Sequence, residues 1–500
     1  MPTLVAGDVR GIQEYIFGSP RLLEMRGASA LIDFFDRAAV PALIDRFGGR
    51  TVFSGGGNFL ASFEDPARPA EAMAALGTAF FDLTGGDGLV LVSHPCDQAS
   101  VPELKAVNRR LRQAKRSAGV ARPALSNPFL KRCESCGRET ADHAGSDPDG
   151  NERWLGPVCR SKHRMLARLR QAQNQGAGPW PRYFVYGLRE LEIPAVTERL
   201  RGMRLPKDFQ ELAGDDDLAL VVADANNLGS WFEERDLNGI EDLSKRVDAA
   251  LRQALDAATE AAFPGAERPG LQVLICGGDD LVVALPARRG LDFAAKLLES
   301  FEVEDPQSPG RKAGLAAGLL FSRFSFPFRQ AHGLAESLLG RAKARCREDG
   351  GVRSALDFHR VKGTQVQSLA QEQGAIEAEN ALQGWSYGAA GPYTPEELGS
   401  LRALAARLRK VSPSQRGRLR EILSPRDDGE HTLLDGDWQV PRRVVAELAA
   451  WLLRQEGEPP FAIAPGPPSA DLVRKERKGQ KPLHRLALAD ALLLADLEED

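Results

Sequence analysis

Long apolar runs and cysteines are both scarce in this sequence, and each scarcity excludes a class of protein. No apolar stretch approaches the roughly 20 residues that a membrane-spanning helix needs; Leu218 to Ala223 is a typical short run. Six cysteines in 500 residues are too few for a disulfide framework. The N-terminus has neither the basic nor the apolar segment of a signal peptide. We therefore expect a cytoplasmic protein without a membrane segment.

An excess of charge of one sign is also lacking. The sequence has 65 basic and 69 acidic residues, which gives a net charge of −4. Such a balance argues against a broad basic surface that holds nucleic acid by itself. One local basic strip runs from Lys105 to Lys115 and includes Arg109, Arg110 and Arg112. A solvated helix face is the favoured interpretation of that strip.

Two segments of the chain resemble each other. Arg50–Phe63 and Gln272–Leu285 each contain an apolar run, a Gly-Gly turn and a second apolar run, a pattern that predicts a β-hairpin. Each is preceded by an apolar strand that contains an aspartate near its end, Asp8 or Asp224, at intervals of 55 − 8 = 47 and 277 − 224 = 53 residues. Helical patterns fill both intervals. We therefore predict a duplicated β-α-α-β-β unit and an α+β fold.

The second hairpin carries adjacent carboxylates, Asp279 and Asp280, between two glycines and an apolar strand. Buried charge without a partner is costly, so these side chains are expected to have a ligand. Phosphoryl transfer needs two divalent cations about 4 Å apart, held by carboxylates. With Asp224 as a third carboxylate, the pattern predicts a Mg²⁺ or Mn²⁺ site for nucleotidyl transfer. Exposed turn aspartates are the structural alternative.

Other residues near these hairpins suggest nucleotide contacts. The turn around Asn227 can aim backbone N–H groups at a triphosphate, and Lys343 is a possible phosphate ligand on a helix, although most helical lysines are simply solvated. Where the second hairpin has its aspartates, the first has Gly57 and Asn58. The first hairpin therefore cannot hold two metals in the same way. It is either a second nucleotide site or a structural relic.

A second cluster of residues predicts zinc. Cys133 and Cys136 are separated by two residues, and Cys159 and His163 by three. Two such knuckles supply four soft ligands, which suit a tetrahedral ion. Four protein ligands leave no open position, so the predicted role is structural. His143 is a spare candidate ligand.

At these residues the chain resembles a known family, the large subunit of type III CRISPR effector complexes, a polymerase/cyclase-like cyclic oligoadenylate synthetase. The resemblance spans roughly residues 3 to 365. It rests on the opening motif, the helix start after it, the first glycine turn, the cysteine knuckles, the acidic turn and segments of the second half. These are Gly7–Phe17, Met25–Ser29, Gly55–Gly57, Cys133–His163, Gly277–Asp280, Ala313–Gly318, Pro327, Ala342–Lys343 and Ser354–His359.

The resemblance implies two ferredoxin-like palm (nucleotidyl cyclase) domains with a zinc-binding insert and a C-terminal helical domain. The expected boundaries are 1–97 for a degenerate first palm, 98–214 for the insert with its zinc finger at about 130–165, 215–375 for a catalytic second palm and 376–500 for the helices. Within the last region we expect a linker at Gly384–Pro392, helices from Pro395 to Gln455 and a charged loop at Lys475–Lys481.

The resemblance also implies an activity. The chain would join ATP into cyclic oligoadenylates, with Asp224, Asp279 and Asp280 as catalytic metal ligands. The implied nucleotide contacts are Ser54, Gly55, Gly56, Gly57, Asn58, Asn227, Gly277, Gly278 and Lys343. Other subunits of the complex would hold most of the guide RNA and target RNA.

One departure from the family concerns a histidine-aspartate nuclease domain that many members carry ahead of the first palm. Here the first palm starts at Thr3, and no histidine is followed by aspartate. We therefore expect no single-stranded DNase activity. In addition, Asn226 stands where an acidic residue often occurs.

Three alternatives compete with an ATP-polymerising enzyme. The chain could be a nucleotide-binding scaffold of the same complex without turnover, although the intact Asp224, Asp279 and Asp280 argue against it. It could be a related synthase that joins AMP to another acceptor. A stand-alone cyclase of the diguanylate type is disfavoured, because such enzymes pair two identical chains and have Glu-Phe where this sequence has Asp280 and Leu281.

Overall fold

The computed structural model describes most of both predicted palms and parts of the regions between and after them. The described ranges are 2–117, 129–146, 151–174, 182–183, 191–192, 206–266, 270–348, 352–361, 385–386, 391–410, 412–414, 416–417, 473–478, 481–486 and 488–497. Among the helices in these ranges, none has both the length and the apolar content to cross a bilayer.

The first half of the chain forms a four-stranded sheet in the order β2-β3-β1-β4, with every pair antiparallel. Its strands are β1 (Thr3–Val9), β2 (Gly49–Gly55), β3 (Asn58–Phe63) and β4 (Leu89–Pro95). Its helices are α1 (Ile12–Ile16), α2 (Leu22–Phe34), a π-helical turn (Phe35–Ala39), α3 (Val40–Arg46), α4 (Arg68–Thr84) and α5 (Val101–Ser117).

Between residues 129 and 192, the described part of the insert contains two short antiparallel strand pairs and one helix. They are β5 (His143–Ser146), β6 (Glu152–Leu155), α6 (Pro157–Asn174), β7 (Arg182–Tyr183) and β8 (Leu191–Glu192). Helix α6 packs on α2 and on the core of the first sheet, where Met165 and Leu169 are fully buried. The insert is therefore anchored to the first palm by apolar burial.

The second half repeats the sheet as β10-β11-β9-β14 and adds β15 parallel to β14 at the edge. The elements in chain order are α7 (Phe209–Ala213), β9 (Leu218–Ala225), α8 (Leu228–Glu233), α9 (Leu237–Ala262), β10 (Gln272–Gly277), β11 (Asp280–Pro286), α10 (Ala287–Ser300), β12 (Val303–Glu304), β13 (Lys312–Ala313), β14 (Leu315–Ser322), α11 (Phe328–Glu348) and β15 (Ala355–Arg360). The α+β fold with two palm sheets is confirmed.

The duplication extends to strand register. Asp8 pairs with Asn58 in the first sheet, and Asp224 pairs with Asp280 in the second. Both hairpins also carry a bulge in their first strand, between Thr51 and Phe53 in one and between Val273 and Ile275 in the other. Each bulge begins four residues before the first glycine of its turn, from Thr51 to Gly55 (55 − 51 = 4) and from Val273 to Gly277 (277 − 273 = 4).

One helix of each half packs on the sheet of the other half. Helix α2 of the first half packs on β10 of the second, and α9 of the second half packs on β2 of the first. Polar contacts follow the same seam: Arg37 Nη2 lies 3.1 Å from Asp248 Oδ1, and Arg50 Nη2 lies 2.8 Å from Asn238 Oδ1. The halves therefore form one intramolecular pair with approximate two-fold symmetry.

The C-terminal region adds a small sheet to the predicted helices. Its described elements are β16 (Trp385–Ser386), α12 (Pro395–Arg409), β17 (Val473–Lys478), β18 (Lys481–Leu486) and α13 (Leu488–Leu497). The described residues of the predicted charged loop, 475–478 and 481, therefore lie in two paired strands of a three-stranded sheet. Helices α12 and α13 share the core of the second palm. The predicted helices between 418 and 455 and most of the predicted linker lie outside the described residues.

Candidate active site at the paired glycine turns

The two glycine turns meet at the seam between the palms. A Cβ built on Gly277 would lie 2.8 Å from Gly56 N and 3.0 Å from Gly56 Cα, and one built on Gly56 would lie 3.1 Å from Gly277 O. A Cβ approach of 2.8 Å would force the turns apart, and one of 3.1 Å would be tight, so glycine at these two positions permits the backbone contact. The acidic turn, Gly277–Asp280, is thus brought against its copy, the first turn, Gly55–Asn58.

The first turn could not simply carry the acidic sequence. Gly57 has φ +79°, and a Cβ there would lie 2.8 Å from Ile12 Cδ1. A side chain at this position would be strained in its backbone and crowded by its neighbours. The conformation of Gly57 therefore disfavours an aspartate at the position equivalent to Asp279.

The acidic turn places its carboxyls beside Asp224 and one lysine. Lys343 Nζ lies 2.6 Å from Asp224 Oδ2. Asp280 is paired with Asp224 across the strands, and their carboxyl groups are within hydrogen-bonding distance. Asp279 follows Gly278 at the tip and is half-buried. Three carboxyls with one ammonium group leave a site with net negative charge when all are ionised.

Crowding raises the pKa of both turn aspartates. Burial, followed by the charge of Asp224, raises the pKa of Asp279 to about 6. Desolvation by the surrounding protein, followed by the charges of Asp279 and Asp224, raises the pKa of Asp280 to about 7, although Asp280 keeps an exposed edge. Lys343 acts in the opposite direction on both. A cation at this site would relieve the repulsion.

The three carboxyls do not converge on one point. Within the described ranges, the only His, Cys, Asp or Glu group whose ligand atoms all lie within 4.8 Å of one another is elsewhere, at the cysteines. Two cations about 4 Å apart spread their ligands more widely than a single ion does. The donor set of carboxylate oxygens suits Mg²⁺ or Mn²⁺, so the residues fit a two-metal site.

Asn227, predicted to help orient a triphosphate, has φ 60° and precedes the six-residue helix α8. Asn227 is the N-cap residue of that helix and lies two residues after the end of β9. Asn226 is buried, and its backbone N–H donates to Gly314 O at 2.9 Å. Asn226, which stands where the sequence resemblance leads one to expect an acidic residue, therefore occupies a buried structural position.

The first turn is held by a buried carboxyl that the sequence analysis missed. Gly57 N donates to Asp36 Oδ2 at 2.7 Å, and Ser54 Oγ donates to Asp36 O at 2.6 Å. Burial raises the pKa of Asp36 to about 8. Asp36 lies in the π-helical turn, which carried no recognisable sequence signal. Its two contacts fix the conformation of the predicted nucleotide pocket from behind.

Three of the four predicted zinc ligands come together. Cys133, Cys136 and Cys159 form a compact group with Glu139, all ligand atoms lying within 4.8 Å of one another. Hydrogen bonds from Cys136 and Cys159 lower the pKa of Cys133, whereas the same contacts with Cys133 raise the pKa of Cys136 and of Cys159. Three thiols and one further donor suit tetrahedral zinc.

The compact group contains Glu139 and does not include His163, the predicted fourth ligand. The imidazole of His163 is held by a carboxylate of the first palm, with His163 Nε2 2.8 Å from Glu24 Oε1. Ser135 Oγ donates to the same oxygen at 2.6 Å. Burial and the charge of Cys133 raise the pKa of Glu139 to about 7. His143, the spare candidate, is exposed on β5 and outside the compact group.

Comparison with known proteins supports the sequence resemblance. Residues 217–350 match the family described as Cas10/Cmr2, second palm domain. The resemblance to that family is confirmed. No curated protein sequence matches the chain.

Solved structures of Csm1 share the fold. One described as Csm1 in T. onnurineus is 15% identical with a TM-score of 0.53, covering 99% of this chain and 69% of that one. A Csm1-Csm4 cassette in complex with pppApA is 15% identical with a TM-score of 0.52, covering 99% and 69%. Another, in complex with cA4, is 15% identical with a TM-score of 0.50, covering 99% and 70%. At this identity the likeness establishes the fold.

Proposed function

We propose that this chain is an RNA-activated nucleotidyltransferase of a type III CRISPR effector complex that converts ATP into cyclic oligoadenylates. The observation that carries the proposal is the backbone contact between the first turn and the acidic turn. That contact sets one cluster of carboxylates beside a second, non-acidic turn at the equivalent position of the other sheet. One site suits the metal-bound donor nucleotide and the other suits the acceptor.

The proposed reaction joins two nucleotides at a time. The 3′ oxygen of the acceptor bonds to the α-phosphorus of a donor ATP, the bond from that phosphorus to its bridging oxygen breaks, and pyrophosphate leaves. The hydroxyl proton passes to solvent. Cyclisation repeats the same exchange within one linear chain and releases the last pyrophosphate.

Asp224, Asp279 and Asp280 would hold Mg²⁺ or Mn²⁺, which when bound would neutralise charge on the attacking oxygen and on the triphosphate. Lys343, fixed by Asp224, would contribute positive charge to the donor triphosphate. Residues Ser54 to Asn58 would line the acceptor pocket, held in shape by Asp36. Glycines at the contact would let both nucleotides approach the seam without side chains between them.

Partners follow from the relatives. Solved Csm1 chains occur with Csm4 and with pppApA or cA4. We propose a corresponding sister subunit here, with guide and target RNA held mainly by the rest of the complex. A chain with balanced charge is consistent with that division of labour.

The test is product analysis on the purified complex. Labelled ATP is incubated with Mg²⁺ or Mn²⁺, with and without target RNA, and products are identified by mass spectrometry. Cyclic oligoadenylates that depend on target RNA are the expected result. No product, under conditions where RNA binds, would refute the enzyme and favour the scaffold. A product of AMP joined to another acceptor would refute the choice of acceptor alone.

A further inference from the structure

A lysine–aspartate pair in the first palm repeats the pair at the acidic site of the second. Lys115 Nζ lies 2.7 Å from Asp8 Oδ2, and Lys343 Nζ lies 2.6 Å from Asp224 Oδ2. The aspartates are equivalent by strand register, since each is paired across its sheet with the last residue of its glycine turn, Asn58 or Asp280.

The lysines are equivalent by their place on the helix that follows the fourth strand. Lys115 is residue 115 − 101 + 1 = 15 of α5, and Lys343 is residue 343 − 328 + 1 = 16 of α11. Each stands four positions after a buried leucine, Leu111 or Leu339. Positions four apart share a helix face, so each lysine continues the stripe that packs on its sheet.

This position separates Lys115 from the rest of the basic strip. Lys105, Arg109, Arg110 and Arg112 are exposed, whereas Lys115 is half-buried. The helix face that faces the sheet is otherwise apolar, with Leu104, Val107 and Leu111 buried. The basic strip is therefore solvent-exposed at these four residues, as predicted, but not at Lys115.

The two sites differ in charge, and the difference assigns them different ligands. The second palm has three carboxyls and one lysine, so an ionised site has a charge of −2 and needs cations before it can accept a triphosphate. The first palm has Gly57 and Asn58 in place of the two turn aspartates, so its Asp8–Lys115 pair has no net charge. A phosphate group bound there would meet less repulsion than at the acidic turn and would gain a charge-assisted hydrogen bond from the lysine.

We infer that Lys115 binds the 5′-phosphate group of the acceptor nucleotide, without a metal ion. In this arrangement Lys115 exchanges its bond to Asp8 for one to the phosphate, and Asp8 returns the lysine to position when product leaves. The inference rests on the proposed function for the identity of the acceptor. It adds a positioning residue outside both glycine turns.

The test compares two acceptors that differ only in the 5′-triphosphate. Donor 3′-deoxy-ATP, which can give its adenylyl group but lacks the attacking hydroxyl, is supplied with either ATP or adenosine as acceptor. Rates of dinucleotide formation are measured on the complex with target RNA. Wild type should prefer ATP, and Lys115→Gln should reduce that preference by about tenfold or more, the size expected for losing one charge-assisted hydrogen bond. The control Arg112→Gln removes an exposed charge from the same helix and should keep the preference.

A purely structural lysine gives a different pattern. Lys115→Gln and Asp8→Asn would then slow both acceptors equally, because each breaks the same ion pair. Under the phosphate assignment, Asp8→Asn keeps or raises the preference for ATP, since Lys115 remains. Equal losses with both acceptors in Lys115→Gln would overturn the assignment.

A binding measurement separates this inference from the proposed function. Equilibrium binding of ATP and of adenosine is measured without added Mg²⁺, where the acidic turn repels triphosphate. If wild type forms no dinucleotide, yet binds ATP more tightly than adenosine in a Lys115-dependent manner, the proposed reaction fails and the phosphate site stands. If dinucleotide forms and Lys115→Gln leaves the affinity ratio unchanged, the reaction stands and the phosphate site fails.

Discussion

Replacing Gly277 with alanine should separate the two glycine turns. The added Cβ would meet Gly56 N at 2.8 Å and Gly56 Cα at 3.0 Å. Gly277 does not have a positive φ, so alanine is compatible with the backbone conformation itself. The perturbation is therefore confined to the contact between the palms.

The size of the effect follows from the geometry. Carbon contacts are most favourable at about 3.5–4.0 Å, so the turns must move apart by roughly 0.5–1 Å. Overpacking of this kind costs about 1–3 kcal/mol. A misplacement of about 1 Å between reacting groups can lower a rate by roughly 100-fold. We expect a rate loss much larger than the loss of stability would explain.

Two measurements test this expectation. The rate of oligoadenylate formation is measured at saturating ATP, and the free energy of unfolding is measured by denaturant titration. Gly55→Ala is the matched control for stability, because its Cβ would lie no closer than 3.8 Å to any atom of another segment. Gly340→Ala, on α11 with nothing within 4 Å of the added atom, is the control for rate. A Gly277→Ala complex with a normal rate would refute the contact as the basis of the site.

Three further predictions concern groups around the site. The pKa of Asp36 is raised from 3.8 to about 8, so its contribution to stability is present below pH 4 and is lost as pH rises through 8. The free energy of unfolding of wild type relative to Asp36→Asn should therefore fall by up to about 1.4 kcal/mol per pH unit across that window. A difference that does not change with pH would contradict the raised pKa of Asp36. Lys343→Gln should lower the rate of oligoadenylate formation by roughly 10- to 100-fold. It should also move the acid limb of the pH–rate profile to higher pH, because the lysine lowers the pKa of Asp279 and Asp280. An acid limb that does not move would contradict this effect of Lys343 on the two aspartates. Metal analysis of Cys133→Ser should find zinc reduced from about one ion per chain to nearly none. The Glu139→Gln protein should lose zinc more readily than the His163→Gln protein. If His163→Gln loses zinc more readily, the histidine is the fourth ligand.

Much of the fold could be predicted from the sequence because the duplicated hairpins left a local signal. Gly-Gly turns between apolar strands are read from a few neighbouring residues, and the aspartate strands add a second match. The reciprocal packing of α2 and α9 on the opposite sheets could not be predicted in the same way. It depends on contacts between residues about 200 positions apart, such as Arg37 with Asp248.

The same limit explains what was missed at the sites. Asp36 holds the first turn from 21 residues away, in a π-helical turn without a recognisable pattern. Glu139 joins the cysteines through the folding of its loop, whereas His163 had the spacing of a ligand but is engaged by Glu24 of another element. Lys115 resembled its exposed neighbours until its helix face was known.

If the acidic turn is the site of ATP transfer, Asp279 and Asp280 hold its metals. The most direct measurement combines Mn²⁺ binding, followed by electron paramagnetic resonance with ATP present, with product analysis on the same complex. Asp279→Asn with Asp280→Asn should lose both the bound Mn²⁺ and the oligoadenylate product, whereas Asp82→Asn, an exposed acid on α4, should keep both. Product formation that survives the double substitution would contradict the account.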